Sequence, residues 1–94
     1  GPRLVNLPNI ITNLAQPEKM WVRIEGALIV EGENAEAMAG IVAEDIVAYL
    51  RTVSLDQIQG GSGYQYLRED LNERARVRGQ GKVKELVLQS LILE

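Results

Sequence analysis

Residues 20–31 read MWVRIEGALIVE, and the alternation inside them decides the fold class. Val22, Ile24, Leu28 and Val30 fall on one face of an extended chain, while Arg23, Glu25 and Glu31 fall on the other. Successive side chains point to opposite faces of a strand, so this pattern predicts a strand with one packed and one wet face. Trp21 stands at its start, on the wet face, where it either covers the end of a hairpin or meets a partner.

Upstream, residues 4–15 (LVNLPNIITNLA) are rich in aliphatic and β-branched side chains but contain Pro8. A proline cannot donate to a ladder, so the segment reads as an irregular edge strand. Gln16-Pro17-Glu18-Lys19 is a turn, short enough to make the two runs an antiparallel hairpin. Downstream the period changes. Gly32-Glu33-Asn34 breaks the strand, with Asn34 as the expected N-cap. Met38, Ile41, Val42, Ile46, Tyr49, Leu50 and Val53 then recur at helical steps, predicting a helix over 35–53 that lays these side chains on the sheet. Alanines at 35, 37, 39, 43 and 48 add propensity and permit close approach of a neighbour. Ser54 with Gln57 has capping-box spacing and predicts one short turn of helix.

Gly60-Gly61-Ser62-Gly63 reads as a flexible loop, and Ser62 with Gln65 as a second capping box opening a helix over 63–78. The apolar stripe of that helix is narrow, comprising Tyr64, Leu67, Leu71 and Ala75. Gly79-Gln80-Gly81 ends it. Residues 82–93 form a last strand, with Leu86, Leu88 and Ile92 on one side and Val87, Leu91 and Leu93 on the other. Apolar residues on both sides indicate an interior strand covered on both faces, or one face reserved for a partner. The expected class is therefore α+β, in the order β-β-α-α-β: an antiparallel hairpin and a C-terminal strand packed on two helices. Residues 3–94 make one domain, and Gly1-Pro2 reads as the scar of a cleaved expression tag.

The chemistry available is limited. The 94 residues include no His and no Cys, which excludes His-based acid–base catalysis, thiolate chemistry and the usual zinc sites. Neither metal nor cofactor is expected. Glu44 and Asp45 are adjacent and point to different sides of a helix, so they cannot share a substrate. Glu69, Asp70 and Glu73 lie among Arg68, Arg74 and Arg76 on one solvated sweep, and Asp70 to Arg74 is an ordinary i,i+4 spacing. The glycines at 60–63 are followed by Tyr64-Gln65 and not by the Lys-Ser/Thr of a phosphate loop. No apolar run reaches the roughly 18 residues that span a bilayer.

Net charge is −3, which argues against a nucleic-acid partner. That charge is uneven. Residues 18–56 carry eight acidic and three basic side chains, whereas 68–84 carry six basic and three acidic. Copies could meet head to tail through such opposite patches, with Arg68, Arg74 and Arg76 as contact residues; the competing reading is that these charges only keep the domain soluble and that apolar strand residues such as Leu91 and Leu93 make the contacts.

Five blocks, in this order and spacing, carry a resemblance. They are Ile11-Thr12-Asn13-Leu14-Ala15, Trp21-Val22-Arg23-Ile24-Glu25, Ala43-Glu44-Asp45-Ile46-Val47-Ala48-Tyr49-Leu50-Arg51-Thr52, Leu67-Arg68-Glu69-Asp70-Leu71-Asn72-Glu73-Arg74 and Val87-Leu88-Gln89-Ser90-Leu91-Ile92-Leu93-Glu94. The chain resembles the periplasmic domain of the flagellar basal-body-associated FliL family. The resemblance implies a fold similar to stomatin- and prohibitin-like domains, no catalytic residues, and an inner-membrane anchor upstream of residue 3. It also implies a flagellar motor accessory whose partners are the stator proteins and further copies of itself, arranged as a ring. Two alternatives remain open: a general stomatin-like membrane scaffold, and a ligand-binding module unrelated to motility.

Overall fold

The computed structural model describes residues 1–94. In chain order its elements are β1 (Arg3–Asn6), β2 (Ile10–Asn13), β3 (Trp21–Val30), α1 (Ala35–Leu50), α2 (Leu55–Ile58), α3 (Gly60–Arg78) and β4 (Val83–Leu93). Every strand pair is antiparallel and every pair includes β3. Residues 27–30 of β3 pair with both β1 and β4, and residues 22–24 with both β2 and β4. β1 and β2 therefore lie end to end along one edge of β3, and β4 lies along the other. The edge strand expected over 4–15 is broken where Pro8 predicts it: Leu7-Pro8-Asn9 stand opposite Glu25-Gly26. The α+β class and the hairpin read from the sequence hold.

Val22, Ile24, Leu28 and Val30 are all fully buried, as their alternation requires. Helices cover this inner face: α1 packs on β1, β2 and β3, and α3 on β4. The core facing them includes Ala35, Ala39, Val42, Ile46 and Leu50 of α1 with Leu67, Leu71 and Ala75 of α3. Ile41 does not join it and is 48% exposed. The buried stripe of α1 runs through the small residues Ala35 and Ala39, so the helix sits close to the sheet and Ile41, one step from Val42, is turned outward. Tyr64 is likewise exposed. The i+4 series of α3 is Gly63, Leu67, Leu71 and Ala75, one residue off the expected phase at its start.

The caps divide. Ser54 and Gln57 form the expected capping box, with Asp56 N–H donating to Ser54 Oγ (3.3 Å) and Ser54 N–H to Gln57 Oε1 (2.7 Å). Asn34 precedes α1 in a left-handed conformation (φ 64°) and makes no side-chain cap. Helix α1 ends at Leu50 and not at residue 53. Ser62 and Gln65 lie inside α3, which begins at Gly60, so the expected loop is the first turn of a helix. Gly63 explains the glycines better than flexibility does: a Cβ there would sit 2.7 Å from the backbone of Ile58. Close approach of α2 to α3 requires the missing side chain.

β4 is an edge strand, not an interior one. Its register on β3 skips Lys84 and Gln89, and the two bulges move Val83, Leu86, Leu88, Leu91 and Leu93 onto the same inner face. Leu91 and Leu93 oppose Ile24 and Val22; Ile92 opposes Arg23 and points outward. A strict period of 2 had split these residues between faces because a bulge is invisible to it.

Candidate functional site

The outer face of the sheet carries the odd-numbered residues of β3 and is not covered by a helix. Ile11, Arg23 and Ile92 form one cross-strand row, with Asn13, Trp21 and Glu94 beside it. Leu4, Ile11, Trp21 and Ile92 are 61%, 58%, 48% and 39% exposed, too much apolar surface to be the residue of a packing interface within this chain. Asn9, Ile11, Trp21, Val22, Arg23 and Glu94 line a shallow cleft there. The Arg23–Glu94 ion pair (2.7 Å) crosses it in water and contributes little to stability.

A second constellation closes the seam between α1 and α3. Asp45 is buried and receives Arg74 Nε at 2.7 Å and Arg78 Nε at 2.9 Å. Burial pushes its carboxyl up, but the hydrogen bonds and charges of the two guanidiniums outweigh that and hold it below its ordinary value. Arg74 also lies over the Tyr49 ring, 4.5 Å from its centroid, and Tyr49 donates to Asp70 Oδ2 at 2.7 Å. Burial and the Asp70 carboxylate push the Tyr49 hydroxyl up to about 12. Each of these groups is engaged by its neighbours, so the cluster fastens two helices together. It holds no spare group aimed at a substrate.

The third region is the groove between α3 and the free edge of β4, lined by Gln65, Arg68, Glu69, Asn72, Arg76, Lys84 and Glu85. Asn72 bridges it, accepting from Leu86 N–H at 2.9 Å and donating to Leu86 C=O at 3.0 Å. Its side-chain amide takes the place of one residue of a neighbouring strand.

The six candidate contact residues thus fall in four places. Trp21 is on the open face. Arg68 and Arg76 line the groove, Arg76 with a weak i,i+3 partner in Glu73. Arg74 is in the seam, and Leu91 and Leu93 are half-buried at the end of β4. The uneven charge is partly satisfied inside the fold, since Arg74 and Arg78 meet Asp45, and Lys84 meets Glu31 at 3.4 Å. Ile11, Ile92 and Asn72 were not singled out from the sequence, and Asp45 was weighed there only beside Glu44 as a catalytic pair. Asp45 had a signal, a charge at the helical step between Val42 and Tyr49. Asn72 had none, because the edge it covers exists only after β4 has paired.

No three of the acidic side chains come together to hold a metal ion, and no helix is long and apolar enough to cross a membrane. The fold is a small α+β domain with one uncovered sheet face, one open strand edge and a closed ionic seam. The chain belongs to the flagellar basal body-associated protein FliL family, which it matches over residues 4–93. No curated protein matches it. Membership gives it an accessory, structural role at the flagellar basal body, in a family not known for enzymes.

Proposed function

We propose that this domain is a non-catalytic accessory of the flagellar motor that associates with stator units and supports torque generation as a ring-forming oligomer. A membrane helix upstream of residue 3 anchors it to the inner membrane, and the domain stands in the periplasm. The observation that carries the reading is the family match over nearly the whole chain. The surface supports it: what the fold leaves open is apolar sheet and strand edge, which suit proteins better than small molecules. Anchoring raises the effective concentration of copies, so contacts weak in the free domain suffice to close a ring. Arg68 and Arg76 remain the cations placed for head-to-tail contact, while Arg74 is committed to Asp45.

The test uses the full-length protein, fluorescently labelled in a flagellated cell. It should form foci at basal bodies, cross-link to stator proteins, and on deletion reduce swimming at high viscous load. Uniform distribution around the envelope with unchanged high-load motility would falsify the reading.

A further inference from the structure

The free edge of β4 is guarded along its first half and open along its second. In an antiparallel ladder the N–H and C=O of one residue point to the same side, and successive residues alternate. Trp21 and Glu94 exchange both backbone bonds (2.7 and 2.9 Å), so Ile92 faces β3 in the same way while Leu91 and Leu93 face outward. Leu86 also faces outward, and there Asn72 meets it. Leu91 and Leu93 pack partly against the core, but no side chain hydrogen-bonds their backbone as Asn72 does that of Leu86. Natural sheets protect such edges with charge, bulges or covering elements. Lys84, Glu85, Asn72 and the two bulges do so up to Gln89, and then protection stops: Leu91-Ile92-Leu93 is uncharged and aliphatic.

We propose that this open segment pairs with the same segment of a second copy, antiparallel, about a two-fold axis through Ile92. The occupant is argued from self-complementarity. Leu-Ile-Leu reads the same in both directions, so the axis sets Leu91 opposite Leu93 of the second copy and Leu93 opposite its Leu91. The outward N–H and C=O groups of these residues all find partners. Ile92 meets Ile92 of the second copy on the outer face, and the four leucines share the inner face. Ser90 falls opposite Glu94, so no like charges are opposed. The paired stretch is short, well under the roughly 1,000 Å² of a stable interface, so the dimer is weak and concentration-dependent. This goes beyond the function proposed above: it is a two-fold contact between like patches, separate from the head-to-tail contact that a ring requires.

The chain has no cysteine, so Ile92→Cys introduces a single thiol at the axis. A directly opposed pair of this type has Cα atoms about 4.5 Å apart, within disulfide range. On mild oxidation Ile92→Cys should yield covalent dimer, far above a Glu44→Cys control on the exposed side of α1. Ile92→Lys and Ile92→Glu should each weaken association on the order of tenfold, by opposing like charges, and mixing the two should restore it. Ile92 is 39% exposed, so these variants keep the fold, which circular dichroism checks. Equal cross-linking of the two cysteine variants overturns the proposal. So does unchanged association of Ile92→Lys, failure of the mixture to recover, or a chain that stays monomeric at the highest concentration reached. All readouts use the purified chain, so their failure leaves the flagellar role standing, and loss of the flagellar role leaves them intact.

Discussion

The two halves of β4 are built from similar residues and end in different states. From Val83 to Leu88 the strand lies under α3, with Val83 and Leu86 buried and Asn72 closing the outer edge. From Gln89 to Leu93 no residue is fully buried and the outward backbone groups have no partner side chain. The difference is not hydrophobicity, since Leu91 and Leu93 are as apolar as Leu86. It is the position of α3, which reverses into β4 through Gly79-Gln80-Gly81 and covers what lies nearest that turn. Burial in a small sheet is thus set by which element returns over which strand, and composition alone does not specify it.

The largest test of this contrast compares Leu86→Ala with Leu91→Ala. Leu86 is 2% exposed, so its truncation should cost about 2–5 kcal/mol, lost burial plus a cavity. The half-buried Leu91 should cost less than half as much. Chemical denaturation measures both, and equal costs would mean that the second half is as well covered as the first.

Next in size is the seam that holds α3 in place. Asp45→Asn should cost about 1–3 kcal/mol at neutral pH, in the lower part of that range because the guanidiniums of Arg74 and Arg78 are partly exposed and can rehydrate. The sign of the pH dependence follows from the depressed carboxyl. Its stabilisation is fully present above the ordinary value of 3.8 and is lost as pH falls through the lower folded value. The gap in melting temperature between the native chain and Asp45→Asn should therefore narrow below about pH 4. A gap that stays constant into strong acid would show that Asp45 acts by packing and not by charge.

Most of the architecture was legible because it rests on β3 and the stripe of α1, where period and burial agree. Val22, Ile24, Leu28 and Val30, and the Ser54–Gln57 box, follow from local chemistry alone. The failures share one cause, a signal that depends on a neighbour. Gly60–Gly63 read as a loop until Ile58 stood against Gly63; Ile41 read as core until the alanines let α1 approach. The bulges at Lys84 and Gln89 reversed the faces of β4 without any marker in its composition. Of the contact surface, Trp21 was legible from its place in the alternation. Ile11 and Ile92 became visible only through the register that sets both beside Arg23.

Asn72→Ala probes the guard itself. It removes both bonds to Leu86 and should cost about 1 kcal/mol, because water can replace the amide at this partly buried site. Amide exchange is the sharper readout. In the native chain Leu86 N–H should exchange slowly and Leu91 and Leu93 N–H fast; in Asn72→Ala, Leu86 should join the fast group. A Leu86 amide that stays protected would mean that α3 covers the edge without needing the side chain.

The smallest effect belongs to the outer face. Ile92→Thr keeps a β-branched side chain on the strand and removes one exposed methyl-rich surface, so it should change stability by no more than about 0.5 kcal/mol. Ile92 stands in the row with Arg23 and Ile11, and none of the three contributes to the buried core. Their apolar members are thus free of any folding duty that would explain them. Exposed aliphatic side chains on a sheet face add aggregation risk and yield no core; the contact proposed above would give them a role. A loss in Ile92→Thr approaching that of Leu86→Ala would show that the outer face is packed within the monomer, and the distinction between the two halves of β4 would disappear.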